Sequence, residues 1–310
     1  MGIMPSAMTK RCHLLIVFLV AAFFFAGCGR SAEPTPSFTP IPPSTTRPTP
    51  SITPEPLAAL VNGEPILMVD FEDELYRFET AQTTSGIDLA TLGDYQSQVL
   101  QALIDRRLLA QGAQAIGVEV DAFSVDERLE QLASDLGGSE EMGTWLAVNG
   151  YTLESFKAAL AEEMLAAKMI EHIVAQVGDS TEQVHARHIL VATREMAESL
   201  REQLIAGADF AEIARTYSID TSSRPAGGDL GWFPVGYLLI PEVEAVAFDL
   251  EPGELSEVIE SDLGFHIVQA IERGEQPLTP DALRQLCEAA VTEWLVAQRE
   301  MTEVQILIAP

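Results

Sequence analysis

The chain is poor in positive charge. Its 310 residues carry 18 Lys and Arg against 47 Asp and Glu, a formal net charge of −29. That balance offers no basic face for phosphates and argues against nucleic acid as a partner. It also repels anionic lipid headgroups, so attachment to a membrane would need something other than charge. Cysteine is scarce as well: Cys12, Cys28 and Cys287 suit neither a zinc site nor a disulfide framework. What is abundant is apolar side chain, 47% of the sequence, enough for a sizeable core and too much for a chain disordered throughout.

Lys10 and Arg11 precede an apolar run from Leu14 to Ala26. The run is short for a transmembrane helix and right for the core of a signal peptide. It ends in Phe25-Ala26-Gly27-Cys28, which resembles a lipobox, with small residues where a peptidase cleaves. The reading is a signal peptide over residues 1–27, a lipid on the sulfur of Cys28, and an extracytoplasmic protein anchored to the cell membrane. The plainer alternative is a signal peptide or membrane anchor with an incidental cysteine. Residues 28–56 are rich in Pro, Ser and Thr, a composition that favours extended chain and suits a tether. Cleavage would leave 16 basic and 47 acidic residues, with Cys287 the one free thiol, on the apolar side of a helix.

Asn62-Gly63, between apolar runs, predicts a tight hairpin. Helical spacing follows. Tyr95, Val99 and Leu103 recur every four residues, as do Leu100, Ile104 and Leu108. Ser124 and Glu127 form a capping-box pattern, and Gly137-Gly138 ends that helix. Thr152 is placed to cap a helix whose stripe runs Leu153, Phe156, Leu160, Met164, Ala167, Ile170, Val174. These stripes read as core, and no catalytic cluster lies among them.

The pattern changes near residue 180. A strand over Val184–Val191, helices over 194–206 and from Asp209, a glycine-rich loop at 226–231 and a strand over Gly264–Ile271 outline a compact α+β unit. A helix returns with Thr279 as cap and Pro280 at its first position, striped Leu283, Cys287, Ala290, Trp294, Ala297, Met301. One helix cannot bury its own face, so it is expected to pack back on the earlier helices. Val304–Ile308 would add a strand beside the hairpin. The domain plan is a helical domain over 57–178, completed by 279–310, with an α+β domain inserted at 179–278.

Four ordered motifs in that insert carry a resemblance: His185–Val191 (HARHILV), Gly207-Ala208-Asp209-Phe210, Gly227–Phe233 (GGDLGWF) and Gly264–Val268 (GFHIV). They resemble the parvulin family of peptidyl-prolyl isomerases. The flanking segments Val61–Ile66 (VNGEPI) and Leu103–Leu109 (LIDRRLL) resemble, more loosely, the N-terminal chaperone domains of PrsA-like and SurA-like foldases.

The resemblance implies a polar cluster of His188, Asp220, His266 and Ser261, and an apolar proline pocket at Phe233, Leu239 and Val243, with Phe265 beside it. Met is usual at position 239 and Phe at 243, so an aromatic wall is missing. No metal or cofactor is implied. His185 and His188 stand three apart on a strand, hence on opposite faces, which defeats a metal reading. The glycine-rich loop lacks the ending of a phosphate cradle. Arg194 beside Glu195 is no basic cluster, so no preference for phosphorylated sites is expected.

The expected function is isomerisation of X-Pro bonds in unfolded or partly folded secreted polypeptides, combined with chaperone action. The alternative is a holdase with a weak or inactive parvulin domain, favoured by Val243. A structural surface lipoprotein is the blandest reading and leaves the four motifs unexplained.

Overall fold

The computed structural model describes residues 55–308. The predicted signal peptide, Cys28 and the tether up to residue 54 lie outside the described residues. In chain order the elements are β1 (Leu57–Val61), β2 (Glu64–Leu67), α1 (Met68–Thr84), α2 (Tyr95–Ala115), α3 (Ala122–Leu136), α4 (Ser139–Val148) and α5 (Leu153–Val174). Then come β3 (Ser180–Val191), α6 (Arg194–Ile205), α7 (Phe210–Tyr217), β4 (Asp229–Phe233), α8 (Pro241–Asp249), β5 (Ile259–Ser261), β6 (Gly264–Pro277), α9 (Pro280–Met301) and β7 (Val304–Ile306). The chain is α+β, and among the described residues no helix is long and apolar enough to cross a membrane.

The described residues form two compact units, one of 172–293 and one of 55–171 with 294–308. In the helical unit, β2, β1 and β7 make a three-stranded antiparallel sheet. Asn62 and Gly63 both have positive φ, 52° and 79°, as a two-residue hairpin turn requires. Helix α2 holds this hairpin: Gln111 donates to the Val61 carbonyl at 3.1 Å and Arg107 to that of Pro65 at 3.1 Å. Arg107 also pairs with Glu162 at 2.6 Å, and Asp105 with Arg299. The charged centre of the LIDRRLL segment is therefore spent on internal pairing. Trp294, Leu295 and Val304 pack on the cluster of Ala58, Val61, Val99 and Ile104, so the end of α9 does find its partner in the early helices.

Several local expectations are corrected. Helix α3 begins at Ala122, capped by Asp121, whose carboxylate accepts from the Ser124 N–H at 2.8 Å. Ser124 is thus inside the first turn, where its N–H is the donor that the Asp121 cap satisfies. In α5 the buried side drifts from Phe156 and Leu160 to Ala166, Met169 and Ile173, leaving Leu153 and Ala167 exposed. Met301 is 72% exposed and Ala297 is exposed too, so the stripe of α9 ends early.

In the second unit the antiparallel sheet runs β4-β3-β6-β5. Strand β3 is longer than predicted, because Ser180–Gln183 pair with Gly274–Pro277 despite lacking an apolar alternation. The segment read as a glycine-rich loop is partly strand β4. Gly228 (φ +84°) passes so close to β3 that a Cβ there would lie 2.2 Å from the His188 carbonyl oxygen. The His188 N–H donates to the Gly228 carbonyl at 2.8 Å. Glycine marks that close approach rather than a free loop. Alternation along β3 and β6 sends Val184, Ala186, Val268 and Ala270 to one face, under Phe233, Val243 and Ala247. It sends Ile189, Val191 and Ile267 to the other, under α6 and α7.

Candidate active site

Register decides which polar groups meet. His188 stands opposite Val268 and Leu190 opposite His266, so the two histidines share a face as diagonal neighbours. Their Nδ1 atoms are 3.4 Å apart and the rings meet edge to edge, 21° from coplanar with 5.5 Å between centroids. The turn after α7 brings Asp220, whose Oδ2 lies 2.8 Å from His188 Nε2. Beyond His266, the Ser261 hydroxyl lies 2.7 Å from Nε2, at the hairpin between β5 and β6. The structure thus brings His188, Asp220, His266 and Ser261 into one chain of contacts. His188 is 4% exposed and His266 fully buried.

Two further residues belong here that the sequence reading missed. The Ser222 hydroxyl donates to Asp220 Oδ1 at 2.6 Å, and the Ser223 hydroxyl to Oδ2. Backbone N–H groups of Ser222 and Ser223 add to this at 3.0 and 3.2 Å. Ser223 Oγ also lies 3.0 Å from His188 Nε2. The signal was in the sequence: an Asp followed two and three residues on by Ser folds readily on its own backbone.

Burial pushes the Asp220 carboxyl up, but the hydrogen bonds from Ser222, Ser223 and His188 outweigh it and hold the group well below the usual carboxylate range. Burial, and next the charge of a protonated His188, push His266 down to about 4, against a smaller opposing pull from Asp220 and Glu242. An ionised Asp220 only accepts, so His188 Nε2–H donates to it. Between the two rings the Nδ1 atoms share one hydrogen, one nitrogen donating and the other accepting. His266 Nε2 meets the Ser261 hydroxyl, whose oxygen also takes the Leu263 N–H at 3.1 Å.

The apolar candidates separate. Phe233 (0% exposed) and Val243 (1%) lie in one core on the histidine face, with Phe248 edge-on to Phe233 at 6.1 Å. Leu239 is 96% exposed and lines no closed pocket. Phe265 is corrected: as the neighbour of His266 in a strand it points to the opposite face, packing with Ile189, Val191 and the Arg194 guanidinium. Arg194 itself pairs with Glu260 at 2.6 Å. His185 and His188 engage different carboxylates, Asp229 and Asp220, each at 2.8 Å.

A small antiparallel sheet with paired histidines bonded to a carboxylate and a hydroxyl defines a parvulin-type isomerase domain, and the match to known families agrees. Residues 172–272 match the rotamase family described as a PPIC-type PPIASE domain, and residues 7–170 match the SurA-like N-terminal domain. The chain belongs to the PrsA and SurA family of foldases that combine these two parts. It is 33% identical to the foldase protein PrsA of Caldanaerobacter subterraneus over 69% of this chain and 72% of that protein. It is 32% identical to foldase protein PrsA of Halalkalibacterium halodurans over 69% of this chain and 66% of that protein. To the chaperone SurA of Alkalilimnicola ehrlichii it is 28% identical over 71% of this chain and 57% of that protein. The chain therefore spans about two thirds of the two foldases and somewhat over half of the SurA chaperone.

Proposed function

We propose that the chain is a peptidyl-prolyl cis-trans isomerase and chaperone that acts on polypeptides folding outside the cytoplasmic membrane, held there by a lipid on Cys28. The observation that carries the isomerase reading is the chain Asp220–His188–His266–Ser261, on the same sheet face as Phe233 and Val243, in a PPIC-type domain. Rotation about an X-Pro amide meets a resonance barrier of about 18–20 kcal/mol and breaks no covalent bond. The site has to favour the twisted, deconjugated amide over the planar one. Exposed apolar surface at Leu239, backed by the buried core of Phe233 and Val243, takes the proline ring, and the polar chain on the same sheet face supplies a fixed field at the amide.

The domain plan of a helical chaperone domain around an inserted isomerase domain goes with this reading, with the return to the helical domain moved from 279 to 294, because the first turns of α9 stay with the isomerase unit. Packing of Trp294 and Leu295 with β1 and α2 supports it. Lipid anchoring rests on Phe25–Cys28 and the Pro-rich stretch after it.

The test is a refolding reaction limited by proline isomerisation, which takes tens of seconds or more uncatalysed. The wild-type chain should accelerate it. Asp220→Asn and His188→Leu should slow that acceleration about 100–1,000-fold, on the scale of removing a preorganised polar group. Both variants should still suppress aggregation. A wild type that suppresses aggregation yet never accelerates the proline phase refutes the isomerase.

A further inference from the structure

We propose that Glu244 and Gln285 are positioning residues of the isomerase site, so that the working site extends into the first turns of α9. The proposal deepens the isomerase reading and rests on it. Phe233 and Val243 are joined by residues 234–240, which have no regular secondary structure. Such a segment must find partners for its backbone polar groups elsewhere. Here two side chains supply them. The buried Glu244 carboxylate accepts the N–H groups of Gly236, Tyr237 and Leu238 at 2.7, 2.9 and 2.8 Å. The Gln285 amide, from α9, donates to the carbonyls of Gly236 and Tyr237 at 2.9 and 3.0 Å.

The loop is thus gripped by its N–H groups from α8 and by its carbonyls from α9. Bonds to a carboxylate are the strong kind, and three converge on one. Tyr237 and Leu238 turn inward onto the core of Phe233 and Val243, while the next residue, Leu239, stands 96% exposed. A tightly held loop that presents a bare leucine over the core of Phe233 and Val243 is built to meet an apolar ligand. The ligand class is the proline ring and the residue flanking it. The clamp sets where Leu239 stands. Gln285 lies beyond residue 272, where the PPIC-type match ends, so a residue outside the family's core governs substrate fit.

The test is made at Gln285, because Glu244 is buried and its replacement risks the fold. In the full chain, with X-Pro peptides as substrate, Gln285→Ala should raise KM about fivefold, the scale of one ordinary hydrogen bond, and leave kcat nearly unchanged. The amides of Gly236, Tyr237 and Leu238 should exchange with solvent faster. Gln285→Lys, which keeps a donor of similar reach, should restore both. Leu239→Ala should raise KM as well, and the double variant should be no worse than either single, since both act through one contact. An unchanged KM, an additive double variant, or failure of the lysine to rescue overturns the clamp while the isomerase reading stands. If the wild type binds the peptide without turning it over, the isomerase reading fails and the same comparison made on Kd decides the clamp. A wild type that neither turns over nor binds overturns both.

Discussion

Acidification should unfold the isomerase unit in a window set by His266. Its imidazole is pushed from the ordinary 6.5 to about 4 in the folded protein, first by burial and then by the charge of a protonated His188. Between those values the unfolded chain binds a proton that the folded chain refuses. Stability therefore rises with pH through the window. The contribution is complete above about pH 6.5, is lost as pH falls towards 4, and does not change further below that. At 1.36 kcal/mol per unit, the loss is about 3 kcal/mol. Asp220 follows at lower pH: its folded carboxyl titrates below the ordinary 3.8, so its contribution is lost only as pH falls beneath that value. The assay is urea unfolding at steps from pH 7.5 to 3.5, followed on the amide resonances of β3 and β6, which report this unit alone. His266→Leu keeps the buried volume and removes the titrating group, and it should flatten the slope between pH 6.5 and 4. A wild-type unit equally stable at both ends of the window, or a leucine variant with the wild-type slope, refutes the reasoning.

Two further outcomes are expected. Val243→Phe, which restores the side chain usual in related domains, should destabilise the unit by about 1–3 kcal/mol and bring no faster isomerisation, because Val243 is only 1% exposed in a packed core; a rate gain with an unchanged melting temperature would show the pocket short of an aromatic wall after all. Cys28→Ser should leave the protein unlipidated, released or unprocessed, as read by fractionation and by the mass of the mature N-terminus.

Local chemistry was legible where one or two residues decide a conformation. Asn62-Gly63 turns a hairpin because both positions need positive φ. Thr279 and Pro280 open α9, with the Thr279 hydroxyl accepting from the Ala282 N–H at 3.2 Å. The motifs around His188 and His266 named the strands, and the sheet register then put the two rings together. The misses share a cause: sequence neighbours were taken for spatial neighbours. Phe265 follows from its motif into the site on paper, yet the two-residue period of a strand sends it to the far face. Glycines at 227, 228 and 231 read as looseness, whereas Gly228 is where β4 closes on the His188 carbonyl. Helix α8 begins straight after the irregular segment and is too short to show a clear stripe. Glu244 and Gln285 had no signal, because a side chain that serves a distant backbone looks like any other polar residue on a helix.

The titrations also constrain how the site can act. A general acid or base works best with a pKa near the working pH. Asp220 lies far below neutrality and His266 well below it, so at pH 7 one is a fixed anion and the other a fixed neutral dipole. The chain from Ser261 through His266 and His188 to Asp220 then has its negative charge anchored at one end. Asp220 and His266 are poorly placed to pass a proton to a substrate and well placed to hold a constant field across the sheet face. Amide rotation needs the second and not the first, since the reactant and product carry the same protons and differ only in how the carbonyl dipole is turned. The serines around Asp220 matter for the same reason: each hydrogen bond that keeps the carboxyl ionised keeps that end of the chain a fixed negative charge that accepts from His188.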